Sequence, residues 1–297
     1  MSSELIRKSV RGLSGYVPGE QPQGQRIVKL NTNENPYPPS PRVVEALAGM
    51  DGEVLRRYPN PVSAELRERV AEIHGCRVEN VFVGNGSDEI LALCTRAFVE
   101  NDGSVGYFDP SYSLYPVLTE IRDVEQRPVE LDASLGWQTP SPDHSSLFFL
   151  TNPNAPTSML FPKDDIDAFC AAFRGVVLLD EAYVDFSDEN CMDLALKYDN
   201  VLTMRTLSKS FTLAALRVGY VVGSEVLIDA LMKIKDSYNL DLVAQVLGLA
   251  ALNDLGYMRG NVSRIRATRE RLTGALTGLG FRVCPSQANF LWTEPPG

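Results

Sequence analysis

Lys209 stands between two serines in "RTLSKSF", with Thr206 three positions before it and Arg217 eight after. A lysine held in a partly desolvated cleft has lowered proton affinity and can form a Schiff base with an aldehyde. The hydroxyls of Thr206 and Ser208 and the guanidinium of Arg217 are groups that bind a phosphate, the last of them bidentately. Alone, the same lysine reads as a solvated loop residue. Asp180 ends the apolar run "VVLLD". A carboxylate there can hold a proton on a heterocyclic nitrogen through a charge-assisted hydrogen bond, or serve only as a turn or helix cap. Tyr183, three residues on, either donates a phenolic hydrogen bond into the same crevice or packs. A third stretch, "FVGNGSDEILAL", has the parts of an anion site. Gly84 and Gly86 let the backbone turn tightly, and N–H groups of Gly86, Ser87 and Asp88 would face a phosphate at a helix start. The plainer alternative is that Ser87 or Asp88 caps that helix. The stretch is neither a Walker A loop nor a dinucleotide GxGxxG turn.

Joint occurrence changes the weight of these alternatives. An anion loop, a strand-end aspartate, a lysine beyond the next strand and a nearby arginine are the parts that a pyridoxal phosphate site needs. The loop, the hydroxyls and Arg217 grip the phosphate, Asp180 keeps the pyridine nitrogen protonated, and Lys209 holds the aldehyde. No set of unrelated caps and loops accounts for all four in that order.

Such groups need strands to deliver them. "NVFVG", "SVGYF", "SSLFFLT", "GVVLLD", "NVLTMRT" and "RVGYVVG" are short apolar runs without polar alternation, as expected of a sheet buried on both faces. Helical patterns alternate with them in "SDEILALCTRAFV" and "KDDIDAFCAAF", which predicts an α/β fold with a mainly parallel sheet sandwiched by helices. In such a sheet ligands collect at the carboxyl ends of the strands. Ahead of the sheet, Ser40 caps a helix that opens on Pro41, and a second helix runs from near Ser63 to Gly75. After Gly223 the pattern turns helical and closes on one strand-like run, "FRVCPSQANFLWT", with nothing after it to pair with. The expected organisation is an N-terminal arm over 1–30, a large α/β cofactor domain over 31–240, and linking helices with the start of an incomplete small α+β domain over 241–297.

The formal net charge of −10 is a poor match to nucleic acid, which selects a basic stripe. The five cysteines form no CxxC pair, and the two histidines complete no zinc set with them, so reduced thiols and no metal are expected. No stretch approaches a membrane span, and "MSSELIRKSVRGLSGY" has no apolar core of signal-peptide length, which reads as a soluble cytoplasmic protein.

"NENPYPPSP", "RRYPNP", "VGNGSDEI", "DPSYSLYP", "TNPNAPTS", "LLDEAYVDF" and "TLSKSFTLAALRVGY" together resemble the fold type I pyridoxal-phosphate aminotransferases, and among these the histidinol-phosphate aminotransferases. The resemblance runs from the arm to "SQANFLW". It implies transamination between L-histidinol phosphate and 2-oxoglutarate in histidine biosynthesis, by a homodimer with shared active sites. Aromatic or broad-specificity aminotransferases, threonine-phosphate decarboxylases and a non-catalytic cofactor-binding fragment share the same cofactor residues. Position by position, the resemblance makes Lys209 the aldehyde-holding lysine and the acid–base group of the proton shift. It pairs Asp180 with the ring nitrogen and Tyr183 with the ring hydroxyl. Gly86, Ser87, Asp88, Thr206, Ser208 and Arg217 would surround the phosphate, Tyr112 would stack on the ring, and Tyr58 would reach the other subunit's phosphate. Tyr16, Asn33 and Asn85 would meet the substrate.

Two departures stand out. Where the family often carries "NNPTG", this chain has "NAPTS", with Ala155 at the second asparagine and Ser158 at the glycine. Either Asn154 then reaches the ring hydroxyl by a small shift, or Tyr183 is that hydroxyl's main partner and activity is lower but not absent. Relatives also continue past "NFLW" with further strands, helices and a substrate-binding arginine, so the chain reads as C-terminally truncated, with substrate binding and stability compromised.

Overall fold

The computed structural model describes residues 5–17, 19–20 and 27–297. The arm holds a short helix, α1 (Lys8–Arg11), followed by α2 (Pro41–Ala48) and α3 (Ala64–His74). Ser40 caps α2 by accepting from the Arg42 N–H, and α3 stops where Gly75 turns left-handed at φ +64°. Seven strands then build one sheet: β1 (Val81–Asn85), β2 (Ser104–Asp109), β3 (Glu125–Glu130), β4 (Leu147–Thr151), β5 (Val176–Asp180), β6 (Val201–Thr206) and β7 (Val218–Gly223). Between and after them lie α4 (Gly86–Phe98), α5 (Leu114–Arg122), α6 (Lys163–Ala172), α7 (Leu194–Lys197) and α8 (Glu225–Ile234). The chain goes on through α9 (Leu242–Leu252), α10 (Leu255–Gly278), β8 (Arg282–Val283) and β9 (Thr293–Glu294).

Sheet order is β1-β7-β6-β5-β4-β2-β3, parallel from β3 to β6 and antiparallel at β6–β7 and β7–β1. The α/β fold with a mainly parallel sheet is thus as expected. Alternate residues of the strands divide between two cores. Phe148, Leu150, Val177 and Leu179 pack on one face, and Leu147, Phe149, Leu178 and Leu202 on the other. Because side chains alternate with period two, a strand that is apolar throughout satisfies both faces only when each is covered by helices. The register sets Thr151 beside Asp180, and Asp180 beside Met204, so polar groups at the strands' carboxyl ends share one rim.

Two elements depart from the sequence reading. No strand is expected in "EQRPVE", yet β3 pairs there along β2. Pro128 lacks an N–H and weakens the signal, but β3 is an edge strand, where one side of the ladder needs no donor. The run at 281–293 is not one strand waiting for a partner. It folds back so that β8 pairs with β9, Arg282 opposite Glu294. Polar bridges tie this hairpin down: Arg269 donates to the Phe186 and Ala288 carbonyls, and the Gln287 N–H to the Ser158 carbonyl. Helix α9, apolar on all sides, packs against α2 and α3.

Candidate functional site

Lys209 sits just beyond β6, with its Nζ donating to the Thr32 carbonyl at 2.9 Å and lying 5.6 Å from the centre of the Tyr183 ring. Burial, and then the positive charge of Arg217, lower its pKa to about 8. Asp180 is 3% exposed at the end of β5. Its carboxylate accepts from the Tyr115 hydroxyl at 2.8 Å and from the Ala182 N–H at 3.1 Å, and among the described residues no cation is paired with it. Burial therefore raises it to about 6 despite both hydrogen bonds. Tyr183, raised to about 12 by burial, accepts at its hydroxyl from Asn33 at 3.1 Å.

The anion loop forms where β1 passes into α4. Gly86 has φ +79°, which favours glycine, and a side chain there would meet the Arg217 guanidinium at 2.6 Å and push it aside from the turn. Its N–H and those of Ser87 and Asp88 are at the first turn of α4, where backbone donors have no intrahelical acceptor. Gly219 of β7 lies under this turn, since a Cβ on it would come within 2.7 Å of the Ser87 nitrogen. Arg217 adopts φ +53° and bridges the loop to the lysine segment, through Asp88 at 3.2 Å and Ser208 Oγ at 3.3 Å. Thr206 Oγ1 donates to Ser208 Oγ at 3.0 Å. Both partners of the Arg217–Asp88 pair are nearly half exposed, so it adds little stability and leaves the guanidinium able to take another anion.

Tyr112 closes one side, with its hydroxyl 3.4 Å from Asp88 and its ring edge-on to Tyr16 at 6.3 Å. The arm is thereby brought to the site. Asn35 donates to the carbonyls of Lys209 and Ser210, holding the 32–35 segment across the lysine. Asn85 ends β1 with an exposed side chain that does not cap α4. Tyr58 is elsewhere: it is 81% exposed and stacks on Tyr238 at 4.4 Å.

Asn154 faces the loop after β4. It is fully buried, and its amide donates to the Pro110 carbonyl and to Thr157 Oγ1 at 2.9 Å while its oxygen accepts from Ser111. Both its protons close the loop after β4, so a shift toward a ring hydroxyl would have to break that loop. Ser158 carries a cost of its own, because it is buried at φ +62° and its hydroxyl finds no partner among the described residues. Ser158→Gly is expected to stabilise the protein by about 1 kcal/mol, from relief of left-handed strain and of a buried orphan hydroxyl less the entropy of glycine. Thermal unfolding checks this: a melting temperature higher by roughly 2 °C is expected, and a lower one would refute it.

Three groups escape the sequence reading. Tyr115 is quoted within "DPSYSLYP" but has no assigned role, although it lies only three residues beyond Tyr112. Thr151 carries the signal of any polar residue ending an apolar strand. Buried Glu181 takes Arg205 at 2.7 Å and braces the ends of β5 and β6.

These residues fit pyridoxal phosphate. A buried carboxylate without a cation suits a protonated ring nitrogen, and a glycine-lined cradle facing an arginine suits a phosphate. An amine of lowered proton affinity near both suits an aldehyde.

The family profile "Aminotransferase class I and II" matches residues 25–295. Among curated relatives, "Histidinol-phosphate aminotransferase 1" of Nostoc sp. is 44% identical over 297 residues, covering 99% of this chain and 84% of the relative. "Histidinol-phosphate aminotransferase 2" of Burkholderia mallei is 46% identical over 295 residues, covering 96% and 83%. A crystal structure of histidinol-phosphate aminotransferase from Sinorhizobium meliloti in complex with pyridoxal-5'-phosphate superposes with a TM-score of 0.83 at 23% identity, over 88% of this chain and 74% of that one. A putative aminotransferase from Burkholderia pseudomallei gives 0.78 at 27% identity, over 89% and 81%.

Proposed function

The chain belongs to the class I and II aminotransferase family, and from that premise we propose that it moves an amino group from L-histidinol phosphate to 2-oxoglutarate in histidine biosynthesis, using pyridoxal 5'-phosphate. The observation that carries this reading is the joint placement of a lysine of lowered pKa, a buried aspartate with no cation partner among the described residues and an anion cradle on one rim of the sheet, in a chain with these relatives. When bound, pyridoxal phosphate supplies an aldehyde that takes up the amino group and a ring that withdraws electrons from the carbon bearing it.

Each residue then has a defined task. Lys209 Nζ would hold the aldehyde at rest and, once displaced by the substrate's amino group, would carry the proton from the amino-bearing carbon of the substrate to the former aldehyde carbon. A pKa lowered to about 8 gives this amine a far larger unprotonated fraction near neutrality than an ordinary lysine has. Asp180 holds the proton on the ring nitrogen. Tyr183, oriented by Asn33, binds the ring hydroxyl, which Ala155 cannot do. Gly86, Ser87 and Asp88 offer backbone N–H groups to the phosphate, joined by Thr206, Ser208 and Arg217. Tyr112 covers a ring face, while Tyr16, Asn33 and Asn85 meet the substrate.

Tyr58 has a role only in a pair of chains, in which it reaches the phosphate held by the partner subunit. Its exposure, with that of Val44, Leu47 and Leu55 nearby in sequence, supports a homodimer sharing its active sites. The body over 31–240 would hold the cofactor, with 241–297 leading into a smaller domain. No helix among the described residues is long and apolar enough to cross a membrane, and the proposed compartment is the cytoplasm.

Purified protein tests the function directly. With added pyridoxal phosphate it should develop a visible absorption band that changes on addition of histidinol phosphate, and 2-oxoglutarate should then yield glutamate. kcat/KM for histidinol phosphate should exceed that for phenylalanine or tyrosine by roughly 10²-fold, because its charged phosphate offers contacts that a plain ring lacks. Equal or greater efficiency with the aromatic amino acids, or release of carbon dioxide from threonine phosphate, would assign the chain to another branch of the family.

A further inference from the structure

A chain of hydroxyl groups leads from the buried carboxylate into the loop after β4. Tyr115 is fully buried on α5, with its hydroxyl 2.8 Å from Asp180 Oδ2 and 2.5 Å from Thr151 Oγ1. Thr151 Oγ1 lies 3.3 Å from Ser111 Oγ, which donates to Asn154 Oδ1 at 3.3 Å. A phenol has one proton, so when it goes to Asp180 the Tyr115 oxygen must accept from Thr151. The ring itself is fixed by stacking on Phe149, centres 4.8 Å apart and planes at 29°.

We propose that Tyr115, oriented by Thr151, is a positioning residue for Asp180, keeping the buried carboxylate ionised and aimed so that it can hold a protonated ring nitrogen. Burial alone drives a carboxyl group toward its neutral form, which holds such a nitrogen far less well. Other groups around Asp180 do little to oppose this drift. Asp88 of α4 and the adjacent Glu181 reinforce it, the phenols of Tyr112 and Tyr183 are held neutral, and the Lys209 amine gives its hydrogen bond to the Thr32 carbonyl and not to Asp180. Among the described residues the donors left to Asp180 are Tyr115 and one backbone N–H. The phenol's bond is charge-assisted only while Asp180 is a carboxylate, so it favours the ionised form. Phenylalanine at 115 would keep the ring packing and lose that bond.

This inference rests on the cofactor reading, and one experiment separates the two. Wild type and Y115F are loaded with pyridoxal phosphate labelled with ¹⁵N in the ring, and the nitrogen's chemical shift is followed from pH 6 to 9. In wild type the ring nitrogen should stay protonated across the range. In Y115F its proton affinity should fall about tenfold or more, the scale of losing one hydrogen bond to a buried charge. Purely structural damage would not move this resonance in a folded, loaded protein. If wild type takes up no pyridoxal phosphate, the cofactor reading fails and this inference with it. If wild type loads and Y115F shows the same titration, only the role of Tyr115 is overturned. Should Y115F not fold, T151V gives the same readout. It removes the hydroxyl that orients the phenol while keeping the phenol and the side chain's volume, and a smaller loss in the same direction is expected. An unchanged titration in T151V would overturn the proposal.

Discussion

Replacing Lys209 with alanine is expected to lower turnover by roughly four orders of magnitude or more, because one amine both holds the aldehyde and moves the proton. The variant should still bind pyridoxal phosphate, now without a covalent bond, since the cradle at Gly86 and the Asp180 carboxylate are untouched. Borohydride reduction should therefore tag Lys209 in the wild type and leave the variant unlabelled. The fold should not suffer. A base whose pKa falls from 10.5 to about 8 on folding is fully destabilising below pH 8, where the folded chain must carry the buried charge, and the cost fades between 8 and 10.5, where only the unfolded chain keeps the proton. Above 10.5 that cost vanishes. The lysine's single bond to the Thr32 carbonyl does not reverse this sign, so the alanine variant should melt no lower than wild type near neutrality. Residual turnover above about 1%, or a borohydride tag on another lysine, would remove Lys209 from the role.

What the sequence could and could not disclose follows from how each group is placed. Asp180 and Lys209 were legible because each follows an apolar run, and in a parallel sheet all such runs end on the same rim. Gly86 and Arg217 were legible as types, a flexible turn and an anion-binding cation, although their mutual approach depends on the antiparallel strand β7 turning back beneath α4. Tyr115 was not legible, since a tyrosine in a helix facing a core looks the same whether or not its hydroxyl finds a carboxylate. The partners of Asn154 were hidden for a related reason. Its amide could reach outward in sequence terms, and only the closed loop shows both protons taken by Pro110 and Thr157. The β8–β9 pairing was hidden because strands of two residues leave no periodicity to count. In each case the missing information is a partner distant in sequence, such as the 65 positions between Tyr115 and Asp180.

Asp180→Asn should separate catalysis from stability, moving them in opposite directions. The side chain keeps its shape. Its oxygen can still accept from the Ala182 N–H, and its amide can donate to the Tyr115 oxygen while that phenol turns its proton to Thr151. Without cofactor the substitution removes a buried charge. A carboxyl raised from 3.8 to about 6 by burial costs the folded state nothing below pH 4 and about 3 kcal/mol above pH 6, because there the unfolded chain is ionised more readily. The cofactor-free asparagine variant should thus melt above wild type at pH 7 to 8 and alongside it near pH 4. With pyridoxal phosphate the order should reverse, since only the charged carboxylate gains a charge-assisted bond to the ring nitrogen. Turnover should fall by roughly 10³-fold, as for the loss of a buried group that stabilises transition-state charge. The measurement is a pair of melting curves, with and without cofactor, beside steady-state rates. A variant stabilised by the cofactor as much as wild type would mean that Asp180 does not face the ring nitrogen. One less stable than wild type in the cofactor-free state would mean that its charge is met by a partner elsewhere.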